Sequence, residues 1–375
     1  MVKTFRKCFY ENTGVTEEDL VSEEKLKDYV EARMMGVTYE KCQHASATTR
    51  YILGIRPDKV EVYLNKRMEM RFNKIMDVRN GKSCTLAQDG RFLLLDVPHN
   101  NEEPLRFSYN IDCLDQTENL PDPVICLGEY VSGDPVLVSL DNENLLIAGR
   151  MGSGKSVCLH NVILSLLYKY TSKDLQMYFI DPKNTTFHRY EGLSAIKGAA
   201  YDRKTAVGVL KGICDEMDDR YKKLASVNRE KLSDYNKTVK ASDRLPHLVL
   251  FVEEVDSLLA FDDPARKDEI LLLRALLTKL AKEGRACGIH LIVASQKPSG
   301  ETLPISIRSQ LGVRIALRLE TSHDSRIVIN QRGAESLRGK GDAYIMINDQ
   351  LNRFQNAMIE AEEFDQAIDW LAKNR

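Results

Sequence analysis

From about residue 145 onward, short apolar runs alternate with longer stretches in which apolar residues recur every three or four positions. Runs of this length are typical of buried strands, and the longer spacing is typical of amphipathic helices. The apolar runs span 145–148, 177–180, 248–252, 289–294, 313–319 and 343–347. Such alternation predicts an α/β fold built on a parallel sheet. Polar residues follow several of these runs, at the carboxyl ends of the strands, where open α/β sheets bind ligands.

The first 130 residues show a different pattern of shorter, mixed elements. We predict strands over 51–55 and 92–97, a helical segment over 60–72, and a solvated acidic helix within 10–30. Proline and glycine punctuate the passage into the second part, and the boundary is placed near Gly133. The sequence thus predicts a smaller N-terminal α+β domain over 1–132, with a helical, acidic extension over 1–45, and a second domain over 133–375.

Composition describes an ordinary globular chain of 375 residues, with 43% hydrophobic and 29% charged residues. No apolar run approaches the roughly 20 residues of a membrane helix, and the amino terminus lacks the apolar core of a signal peptide. Its eight cysteines form no C-x-x-C pair, so we expect a reduced, cytoplasmic protein without a membrane segment. The net charge of −2 conceals a basic segment, because residues 297–340 hold eight basic and four acidic side chains.

Residues 149–156 have the pattern of a phosphate-binding loop between a strand and a helix. Glycines in such a loop let backbone N–H groups turn toward phosphates, and the helix N-terminus adds a partial positive charge. We therefore predict that the chain binds a nucleoside triphosphate, with Lys155 on the β- and γ-phosphates and the Ser156 hydroxyl on Mg²⁺. The expected ATP contacts are Gly149, Arg150, Met151, Gly152, Ser153, Gly154, Lys155, Ser156 and Val157.

Two acids follow the predicted strand over 248–252 and supply the second half of this expected site. Glu253 is predicted to hold Mg²⁺ through water, and Glu254 to orient or deprotonate the attacking water. Gln296, at the end of the next strand, is placed to sense the γ-phosphate; a polar residue that merely ends the strand is the alternative. Arg285 is either a surface arginine or a finger that enters a neighbouring subunit's phosphate site, and spacing alone leaves both open.

Several segments of the second domain resemble the FtsK/SpoIIIE family of DNA translocases, within the HerA/FtsK superfamily. Residues 149–157 are similar to the GTTGSGKSV of that family, and 179–183 to its second-strand signature. Residues 284–292 resemble the family's RAAGIHLI, and residues 294–299 resemble the ATQRPS that follows it. Three later segments resemble the family's DSR, GAE and GxGD motifs, namely 324–326, 333–335 and 339–342. The resemblance covers roughly 135–347 and implies a RecA-like P-loop NTPase motor.

The resemblance also implies roles for individual residues. Arg285 falls on the family's trans-acting arginine. Lys297 and Arg308 fall in a first pore loop that touches the DNA backbone, while His323 and Arg326 fall in a second. The family more often has lysine at the position of His323, and aspartate at the position of Glu253.

The resemblance therefore implies an ATP hydrolase, assembled as a ring and expected to be a hexamer, that pumps double-stranded DNA. Without a membrane anchor or a winged-helix module, we expect a motor of a mobile element that serves DNA transfer, replication or segregation. A relaxase or another DNA-processing protein is a candidate partner. The alternative is a type VII secretion-like ATPase that acts on proteins, and the basic segment favours DNA over this alternative.

Overall fold

The computed structural model describes residues 17–45, 48–78, 83–99, 104–117, 123–141, 143–261 and 263–375. The first seven residues of the acidic helix expected within 10–30 lie outside these ranges. Among the described residues, no helix combines the length and the apolarity that crossing a bilayer would require.

The amino-terminal part folds around a four-stranded antiparallel sheet in the order β1-β2-β4-β3. Its elements are α1 (Glu17–Arg33), β1 (Val37–His44), β2 (Thr48–Ile55), α2 (Val60–Tyr63), α3 (Lys66–Ile75), β3 (Thr85–Asp89) and β4 (Phe92–Pro98). Leu26 and Val30 of α1 and Phe72 of α3 are fully buried against the sheet. The helix expected to be solvated therefore has one buried face, and the predicted helical extension over 1–45 contains a strand, β1.

The single helical segment expected over 60–72 is two helices, because Asn65 interrupts it. The Asn65 side chain accepts a hydrogen bond from the Met68 backbone N–H at 3.1 Å, which caps the start of α3. The strands expected over 51–55 and 92–97 are confirmed as parts of β2 and β4.

The remainder of the described chain forms a ten-stranded sheet in the order β6-β5-β14-β13-β12-β7-β11-β10-β8-β9. Its strands are β5 (Val124–Tyr130), β6 (Pro135–Ser139), β7 (Leu145–Ala148), β8 (Leu175–Ile180), β9 (Ile196–Ala200), β10 (His247–Val252), β11 (Ile289–Ser295), β12 (Val313–Leu317), β13 (Asp342–Ile347) and β14 (Gln350–Asn356). The six strands from β12 to β9 are parallel, and the other four pair antiparallel.

Helices cover both faces of this sheet, as buried parallel strands require. They are α4 (Phe107–Leu114), α5 (Lys155–Lys169), α6 (Arg203–Ser226), α7 (Leu232–Thr238), α8 (Val255–Leu259), α9 (Lys267–Glu283), α10 (Ile305–Arg308), α11 (Ser322–Ile329) and α12 (Ala361–Asn374). One core includes α4, α5 and α12, and the core on the opposite face includes α6, α8, α9 and α11. The fold is that of a RecA-like P-loop ATPase, as expected.

Two details of the large sheet differ from the prediction. The strand expected over 313–319 ends at Leu317, because the next residues leave the sheet: the Arg318 carbonyl accepts from Arg150 N, and Leu319 N donates to the Ala334 carbonyl. The boundary predicted near Gly133 lies in the turn between β5 and β6, so both strands that flank it belong to the large sheet. The division into two domains at that residue stays a prediction.

The two sheets meet through the side chain of Arg353. Its Nη1 donates to the Thr85 hydroxyl at 2.9 Å, and its other nitrogens hold Asp342 at 2.8 and 2.9 Å. Burial by itself would raise the pKa of Asp342, but Arg353 and Arg338 outweigh it and lower that pKa to about 2. A buried, charged cluster thus lies at the junction, directly after the segment that contacts the phosphate-binding loop.

Candidate active site

The loop between β7 and α5 has the backbone geometry that its glycines predict. Gly152 and Gly154 have φ angles of 75° and 103°, in the region that only glycine enters freely. A Cβ atom on Gly154 would lie 2.9 Å from the Gly341 backbone nitrogen, so any larger residue here would displace one of the two segments. Helix α5 begins at Lys155, so its first N–H groups are directed at this loop.

Neighbouring segments hold the loop in place through backbone hydrogen bonds. Gly149 N donates to the Ser295 carbonyl at 3.1 Å, Arg150 N to the Arg318 carbonyl at 2.9 Å, and Gly341 N to the Ser153 carbonyl at 3.0 Å. The loop is therefore anchored to the ends of β11, β12 and the turn before β13. Met151, at the tip of the loop, is 87% exposed.

Lys155 forms a buried ion pair with Glu253, which follows β10. Both side chains are almost completely shielded from solvent. Burial raises the pKa of Glu253, and the positive charge of Lys155 partly offsets this rise. The second carboxyl oxygen, Oε2, is buried and accepts no hydrogen bond from the described residues. The predicted phosphate ligand and the predicted metal ligand are thus in direct contact.

Glu254 lies beside Glu253 but has different partners. Its Oε1 accepts from Gln296 Nε2 at 2.6 Å and from Lys183 Nζ at 2.7 Å. Its backbone is left-handed, with φ 49° and ψ 50°, a conformation that costs about 1–3 kcal/mol for a residue other than glycine. Strain of this kind, at a residue that contacts a charged lysine and a glutamine amide, is typical of a functional position. The expected proximity of Glu254 and Gln296 is therefore observed, while their roles stay predictions.

Asp181 positions the segment that carries Lys183. This fully buried side chain follows β8, and its oxygens accept from the backbone N–H groups of Lys183, Thr185 and Thr186 at 3.2, 2.9 and 2.8 Å. Lys183 itself is half exposed. An ammonium group on a well-ordered turn, in contact with a buried acid yet open to solvent, can exchange that acid for a ligand phosphate.

The donor set suits a magnesium ion that is held mainly by nucleotide and water. Ser156 is exposed at the start of α5, and Ser153 Oγ and Glu253 Oε2 are buried oxygens without a hydrogen-bond partner among the described residues. Within the same residues, no cluster of three or more His, Cys, Asp or Glu side chains could hold a metal by itself. Mg²⁺ prefers such mixed sites, with few protein oxygens and several waters or phosphates.

Arg285 lies at the opposite edge of the sheet from this site. It is four residues before β11, whereas Gln296 directly follows that strand, and the seven residues of β11 alone span about 20 Å. Burial raises the pKa of Glu143, and the positive charge of Arg285 opposes the rise, so these two side chains are neighbours. Arg285 is therefore too far from the phosphate-binding loop of its own chain to act there, and both the finger that enters another subunit and the surface arginine stay open as predictions.

The four predicted DNA-binding residues occupy three short segments around β12. Lys297 is exposed after β11, and His323 and Arg326 are exposed on α11, whereas Arg308, at the end of α10, is half buried. Lys297 and the start of α11 lie at the carboxyl edge of the sheet, and α10 precedes the opposite end of β12. The structure thus places Lys297, His323 and Arg326 at the same end of the sheet as the phosphate-binding loop. Arg308 lies farther from that loop, toward the opposite end of β12.

Arg314, on β12, connects the end of α10, which carries Arg308, to α11, which carries His323 and Arg326. Its guanidinium donates to the carbonyls of Leu311 and Arg308 at 2.9 and 3.3 Å and to the Val328 carbonyl at 3.4 Å. Burial lowers the pKa of Arg314, and the adjacent charge of Arg308 lowers it further. In the sequence, Arg314 is only one of the eight basic side chains over 297–340, because its structural role depends on tertiary contacts.

A largely apolar cavity of about 510 Å³ opens beside the start of α5. Pro104, Leu105, Val157, Ala357 and Met358 line it, together with Asn356. The Asn356 amide nitrogen donates to the Ala357 carbonyl at 3.0 Å, while its buried oxygen accepts no hydrogen bond from the described residues. A cavity with these walls, next to a phosphate-binding loop, can accommodate a nucleobase.

Sequence reasoning also missed roles for Lys183 and Asp256. Lys183 entered only as part of a motif, and its contact with Glu254 follows from the pairing of β8 with β10. Asp256 follows the acidic pair by two residues, and its carboxylate binds the end of β11. The signal in the sequence was the position of Asp256, a third acid only two residues after the pair Glu253 and Glu254.

Known proteins resemble this chain in sequence as well as in fold. A model of the FtsK/SpoIIIE family matches residues 116–341. The chain is 33% identical over 287 residues to a DNA translocase FtsK of Caldanaerobacter subterraneus subsp. tengcongensis, which covers 75% of this chain and 39% of the relative. It is 29% identical over 371 residues to DNA translocase SpoIIIE of Bacillus subtilis, covering 92% of this chain and 46% of the relative. The chain thus spans less than half the length of these relatives.

Solved structures with the same fold include two kinds of ATPase. The monomer form of the conjugation coupling protein TcpA of pCW3, with ATPgS, is 19% identical and covers 92% of this chain and 96% of its own, at a TM-score of 0.65. The cytoplasmic domain of the type VII secretion ATPase EccC of Thermomonospora curvata is 22% identical to this chain. The match covers 72% of this chain and 34% of that structure, at a TM-score of 0.60. At these identities the structures support the fold alone, whereas the family model extends over most of the chain and across the whole phosphate-binding site: the chain belongs to the FtsK/SpoIIIE family.

Proposed function

We propose that this chain is an ATP-driven motor that assembles as a ring, expected to be a hexamer, and moves double-stranded DNA. The observation that carries the proposal is the contact between Glu254 and Gln296. It joins the end of β10 to the end of β11, and β11 continues directly into Lys297, the first predicted DNA contact. A change at the nucleotide therefore has a short path to the DNA.

The ion pairs of the site support an exchange of partners when ATP binds. Lys155 leaves Glu253 for the β- and γ-phosphates, which bear more charge than one carboxylate. Glu253 and Ser156 would then hold Mg²⁺, whose charge helps to neutralise the phosphates. Glu254 accepts the proton of the attacking water, and Lys183 and Gln296 orient its carboxylate.

The apolar cavity beside α5 completes this proposal as the site of the nucleobase. Met358→Trp would fill part of the cavity without changing any residue of the phosphate-binding loop. We expect it to weaken ATP binding by about tenfold, the equivalent of 1.4 kcal/mol, and to spare the binding of inorganic tripolyphosphate. Met151→Trp, on the exposed loop tip, is the control, and competition against a fluorescent nucleotide measures both ligands. Equal losses for ATP and tripolyphosphate would place the base elsewhere.

Lys297, His323, Arg326 and Arg308 supply the proposed contacts to the DNA backbone. Contacts of this kind read no bases, so movement should be independent of sequence and sensitive to salt. Of these four side chains, His323 is expected to contribute the least, because an imidazole is a weaker partner for phosphate than an ammonium or guanidinium group. A relaxase or another DNA-processing protein would deliver the substrate in DNA transfer, replication or segregation.

The proposed substrate is tested by ATP hydrolysis with and without double-stranded DNA. We expect stimulation by unrelated DNA sequences, and none by unfolded polypeptide. Stimulation by polypeptide but not by DNA would contradict the proposal and favour the alternative, an ATPase of the type VII secretion kind.

The DNA contacts are tested by the triple variant Lys297→Ala, Arg308→Ala, Arg326→Ala. Each lost phosphate contact should reduce the slope of log affinity against log salt by about 0.9. A matched control removes three basic residues that lie away from β12, Lys222, Lys237 and Arg266, of which the first two are more than three-quarters exposed. Unchanged affinity and salt slope in the first triple variant would show that these residues make no directed contact with DNA.

A further inference from the structure

Asp256 joins three parts of the proposed motor through one carboxylate. It lies in the first turn of α8, two residues after Glu254, which begins that helix. Its Oδ2 accepts from Ser295 Oγ at 2.8 Å, Gln296 N at 3.0 Å and Lys297 N at 3.2 Å. The carboxylate thus holds the end of β11 and the first two residues beyond it.

The second oxygen of Asp256 reaches the turn that follows Lys297. Oδ1 accepts from Thr302 Oγ1 at 3.0 Å. The turn is closed by Ser299, whose hydroxyl lies 2.8 Å from Thr302 Oγ1 and accepts from Thr302 N at 3.0 Å. Leu303, which directly follows Thr302, is fully buried. The turn is therefore anchored to the core and is not a free loop.

Arg274 of α9 supports the same arrangement from the other side. Its Nη2 donates to the carbonyl of Leu259, the last residue of α8, at 2.8 Å and to the carbonyl of Glu301 at 2.9 Å. Both ends of α8 are therefore attached to the segment over 297–303. A displacement of Glu254, which immediately precedes this five-residue helix, therefore either moves that segment as well or breaks these hydrogen bonds.

We propose that Asp256 is the positioning residue that couples the state of the nucleotide to the first DNA-contacting segment. The inference rests on the proposed function and adds its regulation. When Glu254 exchanges partners around ATP, α8 shifts, and Asp256 carries Gln296, Lys297 and Thr302 with it. Because both of its carboxyl oxygens accept hydrogen bonds from residues 295–302, its removal affects the communication between the two sites.

The measurement is the ratio of DNA-stimulated to basal ATP hydrolysis in the full chain, with DNA affinity recorded separately. In Asp256→Ala this ratio should fall by about fivefold or more, the lower end of coupling factors between two sites. DNA affinity should stay within about twofold, because Lys297, Arg308 and Arg326 are unchanged. Asp256→Asn should restore part of the ratio, since its amide oxygen can still accept from the N–H groups while its nitrogen donates to the Thr302 hydroxyl.

Thr302→Val provides a second variant that retains the carboxylate. It should lower the ratio by itself, and the double variant with Asp256→Ala should be no lower than Asp256→Ala alone, because the Thr302 contact acts through Asp256. The inference is overturned if the ratio survives in Asp256→Ala, if basal and stimulated rates fall by the same factor, or if the two effects multiply. Absence of stimulation in the unsubstituted protein would overturn the proposed function as well.

Discussion

The two edges of the parallel sheet use polar residues in different ways. At the carboxyl end of β10, Glu253 and Glu254 form ion pairs with lysines that follow β7 and β8, and a bound phosphate could draw these lysines away. At the amino ends of β7, β10 and β11, polar side chains mostly hold backbone groups. Asn144 donates to the carbonyls of Ala281 and Gln310 and accepts from Leu291 N, all within 3.1 Å.

The amino edge also contains a half-buried histidine, His247, beside the buried His290, and a buried arginine. His247 Nδ1 lies 2.9 Å from His290 Nε2, with the rings stacked, and Arg220 of α6 donates to the Cys287 carbonyl at 3.0 Å. Partners supplied by the backbone cannot leave without unfolding. The comparison indicates that one edge is built for exchange and the other for stability, with Arg285 as the proposed exception that serves a neighbouring subunit.

Glu254→Gln should have the largest effect and should act on hydrolysis alone. The amide cannot accept the proton of the attacking water, so turnover should fall by about 10²- to 10⁴-fold while ATP binding persists. Turnover and nucleotide binding measured on the same preparation check this prediction. Normal hydrolysis by the variant would assign the catalytic role to Glu253 instead.

Arg285→Ala tests the exception at the amino edge. If the arginine acts on a neighbour, hydrolysis should fall by about 10³-fold with nucleotide binding nearly intact, the scale known for arginine fingers. Mixed with Glu254→Gln protein, some interfaces would combine an intact Glu254 with a neighbour's intact Arg285. Mixtures no more active than the sum of the two variants would count against action between subunits.

Arg220→Met should affect stability rather than catalysis. The side chain is 1% exposed, and its loss leaves the Cys287 carbonyl and Glu216 without their donor. We expect the free energy of unfolding to fall by about 2 kcal/mol. Lys222→Met, two residues away on the same helix and 77% exposed, should change it by less than about 0.5 kcal/mol. Chemical denaturation measures both, and equal effects would refute the assignment of Arg220 to the stabilising edge.

The smallest expected effect is a dependence of stability on pH from the histidine pair. Burial lowers the pKa of His247 to about 4, with a further contribution from Arg220, and lowers that of His290 well below 6.5. As pH falls below about 6.5, the unfolded chain therefore binds protons that the folded chain refuses, and stability declines until about pH 4. Between pH 6.5 and 5.5, His247→Asn should flatten this decline by about 1 kcal/mol. An unchanged slope would contradict the prediction.

The sequence predicted the carboxyl edge better than the rest of the molecule because its signals are local. Residues 149–157 carry their loop geometry in closely spaced glycines, and the apolar runs of β8, β10 and β11 each lead into a polar residue. The contact between Lys183 and Glu254 was not predictable in this way. It requires β8 and β10 to be neighbours, and strand order depends on tertiary packing.

Polar strands were the main omission in the fold. Strand β14, Gln350–Asn356, has no apolar run, and the antiparallel pairing with β13 positions it. Asn348 and Asp349, both with positive φ, form the two-residue connection between these strands. Adjacent Asn and Asp after an apolar run are typical of such hairpins, so this strand had a readable signal.

The backbone contact between Ser153 and Gly341 has a consequence for how the protein is made. The phosphate-binding loop leaves the ribosome long before Gly341, and Gly341 in turn is held by Asn356 N, which donates to its carbonyl at 2.8 Å. Until these later strands have been synthesised and have docked, the loop lacks one of its supports. A nascent chain should therefore acquire nucleotide affinity late, after almost all of its strands exist.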